Sequence, residues 1–143
     1  MTYLLDTDHI SILGRTQGPL HRALVARLAA VPESEIGFPI ISYHEQLLGC
    51  HKFIQAARTP DQMVRGYELL EDLRRLFATA QIVPFDAAAA AECSRHSPGR
   101  LRVGTMDLRI ASIAIAHGLT LLTRNSADFS RIPGLLHEDW TAP

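Results

Sequence analysis

The sequence predicts an α/β fold in which a small parallel sheet is flanked by helices, and three observations lead there. Short apolar runs of strand length recur at Tyr3-Leu4-Leu5, Ile36 to Ile41, Gln81 to Phe85 and Leu119 to Thr123. Stretches of helical length separate them, with apolar residues at spacings of three and four. Strands joined by helical crossovers run parallel, because each crossover carries the chain back to the same end of the sheet. The chain has 143 residues, 47% hydrophobic and 20% charged, a balance that supports one core and excludes disordered and fibrous classes. One domain over residues 1–143 is expected, with no internal repeat or linker to divide it.

Each element has a local reason. Tyr3-Leu4-Leu5 reads as a buried strand that ends at Asp6-Thr7-Asp8, where Asp8 is a candidate cap for a helix through Ser11 to Leu13. Gly14 and Gly18 break that pattern, and Pro19 begins a second helix bearing Leu20, Leu24, Leu28 and Val31 that ends at Pro32. After the Ile36 to Ile41 strand, Ser42 opens a helix with Leu47, Leu48 and Phe53 on its apolar side. Thr59-Pro60-Asp61 starts a long helix whose stripe of Met63, Tyr67, Leu70, Leu73 and Phe77 serves ordinary packing or a subunit contact. The Gln81 to Phe85 strand leads to Asp86, the N-cap of an alanine-rich helix reaching about His96. Ser97-Pro98-Gly99-Arg100 reads as a loop. Thr105 then caps a helix from Met106 to His117 that is apolar on most sides and therefore central, and Gly118 stops it before the last strand.

Composition narrows the function. No apolar run approaches the roughly 20 residues of a membrane span, and the N-terminus lacks the basic start of a signal peptide, so a cytoplasmic protein is expected. Cys50 and Cys93 form no C-x-x-C pair and are expected as buried reduced thiols. A formal net charge of -1 argues against a protein that coats nucleic acid through bulk electrostatics. Arg95, Arg100, Arg102 and Arg109 nevertheless crowd one stretch and leave room for a local basic site.

Four acids fall where an α/β sheet presents ligands, beyond the carboxyl ends of its strands: Asp6, Glu45, Asp107 and Asp128. Each has a structural alternative. Ser42-x-x-Glu45 fits a capping box, Asp107 favours a helix start electrostatically, and Asp8 and Asp128 suit loop caps. If the strand ends converge, the acids share a pocket, and two carboxylates about 4 Å apart repel by roughly 4 kcal/mol at an effective dielectric of 20. Protonation or a divalent cation offsets such repulsion, and an all-oxygen cluster suits magnesium or manganese better than zinc. The seven histidines show no metal-binding spacing, and His9, His44 and His51 read as surface or capping groups.

Several blocks together resemble the PIN-domain ribonucleases, with the VapC-type toxins of bacterial toxin-antitoxin pairs as the nearest branch. They are Tyr3-Leu4-Leu5-Asp6-Thr7-Asp8, Glu45-Gln46-Leu47-Leu48-Gly49, Gly104-Thr105-Met106-Asp107-Leu108-Arg109-Ile110-Ala111 and Leu122-Thr123-Arg124-Asn125-Ser126-Ala127-Asp128-Phe129, then Arg131-Ile132-Pro133-Gly134-Leu135 and Glu138-Asp139-Trp140. The resemblance runs over essentially the whole chain. It implies a PIN-like domain with Asp6, Glu45, Asp107 and Asp128 as the metal-binding quartet, and with Thr123 and Asn125 organising water or the acids. Ser42-Tyr43-His44 before Glu45, and Asp8 where asparagine is common, depart from the family pattern.

The expected activity is metal-dependent hydrolysis of phosphodiester bonds in structured RNA such as tRNA or rRNA, with Arg100, Arg102 and Arg124 as phosphate contacts. The resemblance further implies an antitoxin partner of the VapB kind and a homodimer. A haloacid-dehalogenase-type phosphatase also opens on Asp-x-Asp after a strand, but the single lysine, Lys52, sits too early for it and its later acidic block is missing. A catalytically silent PIN-like binding module and a housekeeping RNA-processing nuclease are the remaining alternatives.

Overall fold

A computed structural model describes residues 1–142. Five strands, β1 (Tyr3–Leu5), β2 (Ile36–Pro39), β3 (Ile82–Val83), β4 (Thr120–Leu122) and β5 (His137–Glu138), form one sheet in the order β3-β2-β1-β4-β5, and every pairing is parallel. The helices are α1 (Thr7–Leu13), α2 (Pro19–Leu28), α3 (Ile40–Ala56), α4 (Pro60–Ala78), α5 (Ala87–Ser94), α6 (Pro98–Leu101), α7 (Thr105–His117) and α8 (Ser126–Phe129).

Alternation along the strands divides the core into two. Leu4 and Leu121 point to one face, where Ile110, Ala111, Ile113 and Ala114 of α7 and Ala89 of α5 cover them. Leu5, Phe38 and Leu122 point to the other, against Ile10 and Ile12 of α1, Leu24 of α2, and Leu73 and Phe77 of α4. The crossovers from β1 to β2 and from β2 to β3 thus run over one face, and the crossover from β3 to β4 over the other. The direction of winding reverses between β1 and β4, and a sheet of this type opens a crevice where the reversal occurs.

Several boundaries differ from the sequence reading for backbone reasons. Asp6, not Asp8, is the N-cap of α1, with its side chain accepting from the Thr7 N–H. Ile40 and Ile41 belong to α3, because the chain turns helical directly after Pro39, so Ser42 lies inside the helix and the Ser42-x-x-Glu45 capping box does not form. A capping box does form between Thr59 and Gln62 at the start of α4. Gly104 rather than Thr105 precedes α7, and Ser97 to Arg100 is no loop but leads into the one-turn helix α6. Gly118 ends α7 as expected, in the left-handed conformation (φ 65°) that glycine adopts without penalty. Cys50 and Cys93 are free but half-buried. Among the described residues, no helix is long and apolar enough to cross a membrane.

Candidate active site

The ends of β1 and β4 release two short loops side by side. Asp6, the first residue after β1, is 4% exposed. Its Oδ1 accepts from the Thr7 N–H at 2.7 Å and its Oδ2 from the Thr123 hydroxyl at 2.8 Å. Thr123 Oγ1 in turn accepts from the Asn125 N–H at 3.0 Å, and Asn125 Nδ2 donates to Asp128 Oδ2 at 2.9 Å. A continuous run of hydrogen bonds therefore connects Asp6 with Asp128, through Thr123 and Asn125.

Glu45 enters from α3. Its Oε1 accepts from the Thr7 hydroxyl at 2.8 Å, and that hydroxyl also lies 2.8 Å from Ser42 Oγ. Thr7 thus satisfies the acid through its side chain and Asp6 through its backbone. Asp107 sits in the first turn of α7, where the helix dipole favours a carboxylate. Burial, then the charges of Asp8 and Asp107, push Asp6 up to about 7 against the lowering effect of Thr123 and the Thr7 N–H. Asp107 is pushed up to about 6 by burial and by Glu45, Asp128 and Asp8. The quartet and Asp8 share one negative field.

Arg100, Arg102 and Arg124 are exposed, and among the described residues their side chains enter no ion pair or hydrogen bond. Their guanidinium groups are available to a polyanion. Arg102 adopts a left-handed backbone (φ 57°), and its carbonyl accepts from Arg131 Nη1 at 2.9 Å. The same Nη1 lies 3.0 Å from Asp128 Oδ1, so Arg131 holds an acid and the arginine-bearing loop at once. Its place in the sequence carried no signal beyond the Arg131-Ile132-Pro133-Gly134-Leu135 block.

One further group escaped the sequence reading. His9, expected at the surface or as a cap, is fully buried, because the imidazole lies between Asp8 and the closing segment around Trp140. Asp8 does bridge loops, accepting from the Arg124 N–H at 3.1 Å, whereas Asp128 lies within α8 rather than in a loop. His44 and His51 are exposed.

The donor chemistry fits a hard divalent cation: five carboxylates bear on one another, and no thiol or imidazole belongs to the quartet. Yet among the described residues no three acidic, histidine or cysteine side chains are drawn together into a ready cage. A cleft of about 850 Å³, bounded by Ile10, Glu45, Cys50, Phe53, Leu69 and Leu73, lies between α1, α3 and α4 and meets the site only at Glu45. A smaller cavity of about 260 Å³ opens at the other end of the strands, beside Ile36 and Gln81.

The chain is an α/β domain with acidic side chains gathered where the winding of its parallel sheet reverses, and the family model for the PIN domain matches residues 3–135. The chain belongs to the PIN domain family. It is 30% identical over 142 residues to Ribonuclease VapC1 of Haemophilus influenzae (strain R2866), covering 99% of both chains. It is 36% identical over 64 residues to the tRNA(fMet)-specific endonuclease VapC of Shigella flexneri, which covers 42% of this chain and 48% of that protein. Among solved structures, that of VapBC-1 from nontypeable Haemophilus influenzae superposes with a TM-score of 0.76 at 20% identity, over 99% of this chain and all of that one.

Proposed function

We propose that this protein is a metal-dependent endoribonuclease and the toxin of a toxin-antitoxin pair. The observation that carries the reading is the hydrogen-bonded run Asp6–Thr123–Asn125–Asp128, with Glu45, Asp107 and Asp128 acting on one another electrostatically. The names ribonuclease and endonuclease, borne by relatives matched over the whole chain and over part of it, support the same activity.

In this reading Asp6, Glu45, Asp107 and Asp128 hold magnesium or manganese. When bound, such a cation makes water a competent nucleophile at neutral pH and offsets the charge that gathers on the phosphate. The Thr123 hydroxyl and the Thr7 N–H orient the two oxygens of Asp6, Thr7 steadies Glu45, and Asn125 steadies Asp128. Arg100, Arg102 and Arg124 take the phosphates on either side of the scissile bond. The substrate class is structured RNA such as tRNA or rRNA.

The partner in this reading is a short antitoxin of the VapB kind. Its apolar side chains occupy the cleft between α1, α3 and α4, and a basic segment reaches the acids where Glu45 borders that cleft. Several structural neighbours are VapBC complexes. Incubating the purified protein with RNA in chelator and then in added magnesium or manganese tests the activity. Cleavage only with metal is expected; equal cleavage in both conditions removes the metal mechanism.

A further inference from the structure

We infer that His9 is a positioning residue for the acidic site, fixing the orientation of Asp8 and, through Asp8, the separation of the β1–α1 junction at Asp6 from the β4–α8 connection that leads to Asp128. His9 is fully buried, and both ring nitrogens are engaged. The Trp140 N–H can only donate, and it approaches Nε2 at 3.2 Å. Nε2 is therefore the acceptor, and the ring proton resides on Nδ1, which donates to Asp8 Oδ1 at 2.9 Å.

The second oxygen of Asp8 accepts from the Arg124 N–H at 3.1 Å, between Thr123 and Asn125 in the chain. Asp8 thus makes a second bridge, from the first turn of α1 to the β4–α8 connection, alongside the bond from Thr123 to Asp6. The Asp8 side chain is 34% exposed and repelled by its acidic neighbours, so without a buried donor it would swing toward water. His9 supplies that donor from a fixed point. Trp140 behind it is buried and packs on Tyr3 with ring centroids 4.6 Å apart, which anchors the N–H that holds Nε2. Filling the volume alone would need only an apolar side chain, whereas this ring sits where each nitrogen has a partner.

Two variants separate positioning from packing. H9N places an amide nitrogen near the Nδ1 position and keeps the donor to Asp8; H9Q reaches the Nε2 position, keeps the contact with Trp140 and loses that donor. Manganese binding, followed by electron paramagnetic resonance with the metal alone, is expected to weaken about 10-fold or more in H9Q and to be largely rescued in H9N. In cleavage assays, an arm that rests on the proposed nuclease activity, kcat should fall in H9Q with KM for RNA nearly constant. Native-like manganese affinity in H9Q, or equal losses in both variants, overturns the inference. Should both variants fail to fold, nitrogen-15 spectra of native protein labelled at histidine decide it. A His9 protonated on Nδ1 is expected, and protonation on Nε2 overturns the assignment. A native protein that binds manganese yet cuts no RNA defeats the proposed function instead, leaving His9 to be judged by the titration and the tautomer.

Discussion

The Thr123 hydroxyl donates to Asp6 Oδ2 at 2.8 Å across 117 positions of sequence while accepting from the Asn125 N–H, so its single proton has one direction to point. A buried carboxylate is thereby given a fixed donor. Thr123→Val removes both roles and leaves Asp6 and the Asn125 N–H short of a partner, at an expected cost of about 1–3 kcal/mol. Thr123→Ser keeps the hydroxyl and should recover most of the loss. Urea denaturation of the two variants in chelator provides the comparison, and equal stability of Val and Ser would contradict the role given to the hydroxyl.

Asp107→Asn separates a helix-start role from a metal-ligand role. As a helix-start residue alone, Asp107 would lose only a charge–dipole interaction of about 0.3–1 kcal/mol, and cleavage would survive. In the proposed site, removing one of several repelling charges should leave the chelated protein as stable or more so. Activity should drop below about 1% of the native rate, corresponding to roughly 2.7 kcal/mol of transition-state stabilisation. Melting temperature in chelator and cleavage rate in excess metal give the two measurements.

The elevated acids also set a pH dependence. A carboxyl near 7 in the folded chain and about 3.9 when unfolded means that the folded state binds the extra proton between those values. Stability of the metal-free protein should therefore decline as pH rises from about 4 to 7, with Asp107, near 6, acting in the same direction. Asp86 and Asp139, held below the usual carboxylate range chiefly by hydrogen bonds from the Ala89 N–H and from Thr141, act oppositely but only at more acidic pH. Denaturation curves at pH 5 and 8 in chelator measure the slope, which Asp6→Asn should flatten.

Substitution of Arg100, Arg102 or Arg124 by alanine should raise KM for RNA and make it less sensitive to salt, as loss of a phosphate contact does. Unfolding free energies should stay within about 0.5 kcal/mol of native, because these exposed side chains enter no ion pair or hydrogen bond among the described residues. An undiminished salt dependence in all three would place the RNA elsewhere.

A homodimer is expected from the far end of the long helical pair. Leu47, Leu48 and Phe53 of α3 and Met63, Val64 and Tyr67 of α4 are all exposed, an apolar area that one core does not cover. Light scattering at micromolar concentration should return twice the mass of 15.8 kDa. A strictly monomeric mass counts against this surface as a self-contact.

The apolar periodicity of Tyr3–Leu5 and of Met106 to His117 made the central strand and central helix legible without coordinates, since both are decided by local composition. Helix starts were misplaced at Asp8, Ser42 and Thr105, in each case because a residue able to cap was read as one that does. At Ser42 the hydroxyl instead meets Thr7 from another element, a tertiary pairing that no local pattern encodes. β5 was missed because two residues, His137 and Glu138, carry no strand signature and pair only where β4 offers an edge. Of the site, the acids could be named from their positions after strands. His9, Arg131 and the bridging role of Asp8 depend on neighbours more than 20 residues away in sequence and had no comparable signal.

The central strand is also the first to be made. β1 receives its partners from Ile36 onward and, on its other side, only from Thr120 onward. At a synthesis rate of about 5–20 residues per second, roughly 6 to 23 seconds separate the emergence of Tyr3 from that of its last neighbour. Until then the Thr123 hydroxyl that orients Asp6 does not exist, and Asp128 has not been translated. Chain order therefore delays assembly of the acidic site: the hydroxyl that orients Asp6 follows it by 117 positions, so the pair cannot form until Thr123 has left the exit tunnel.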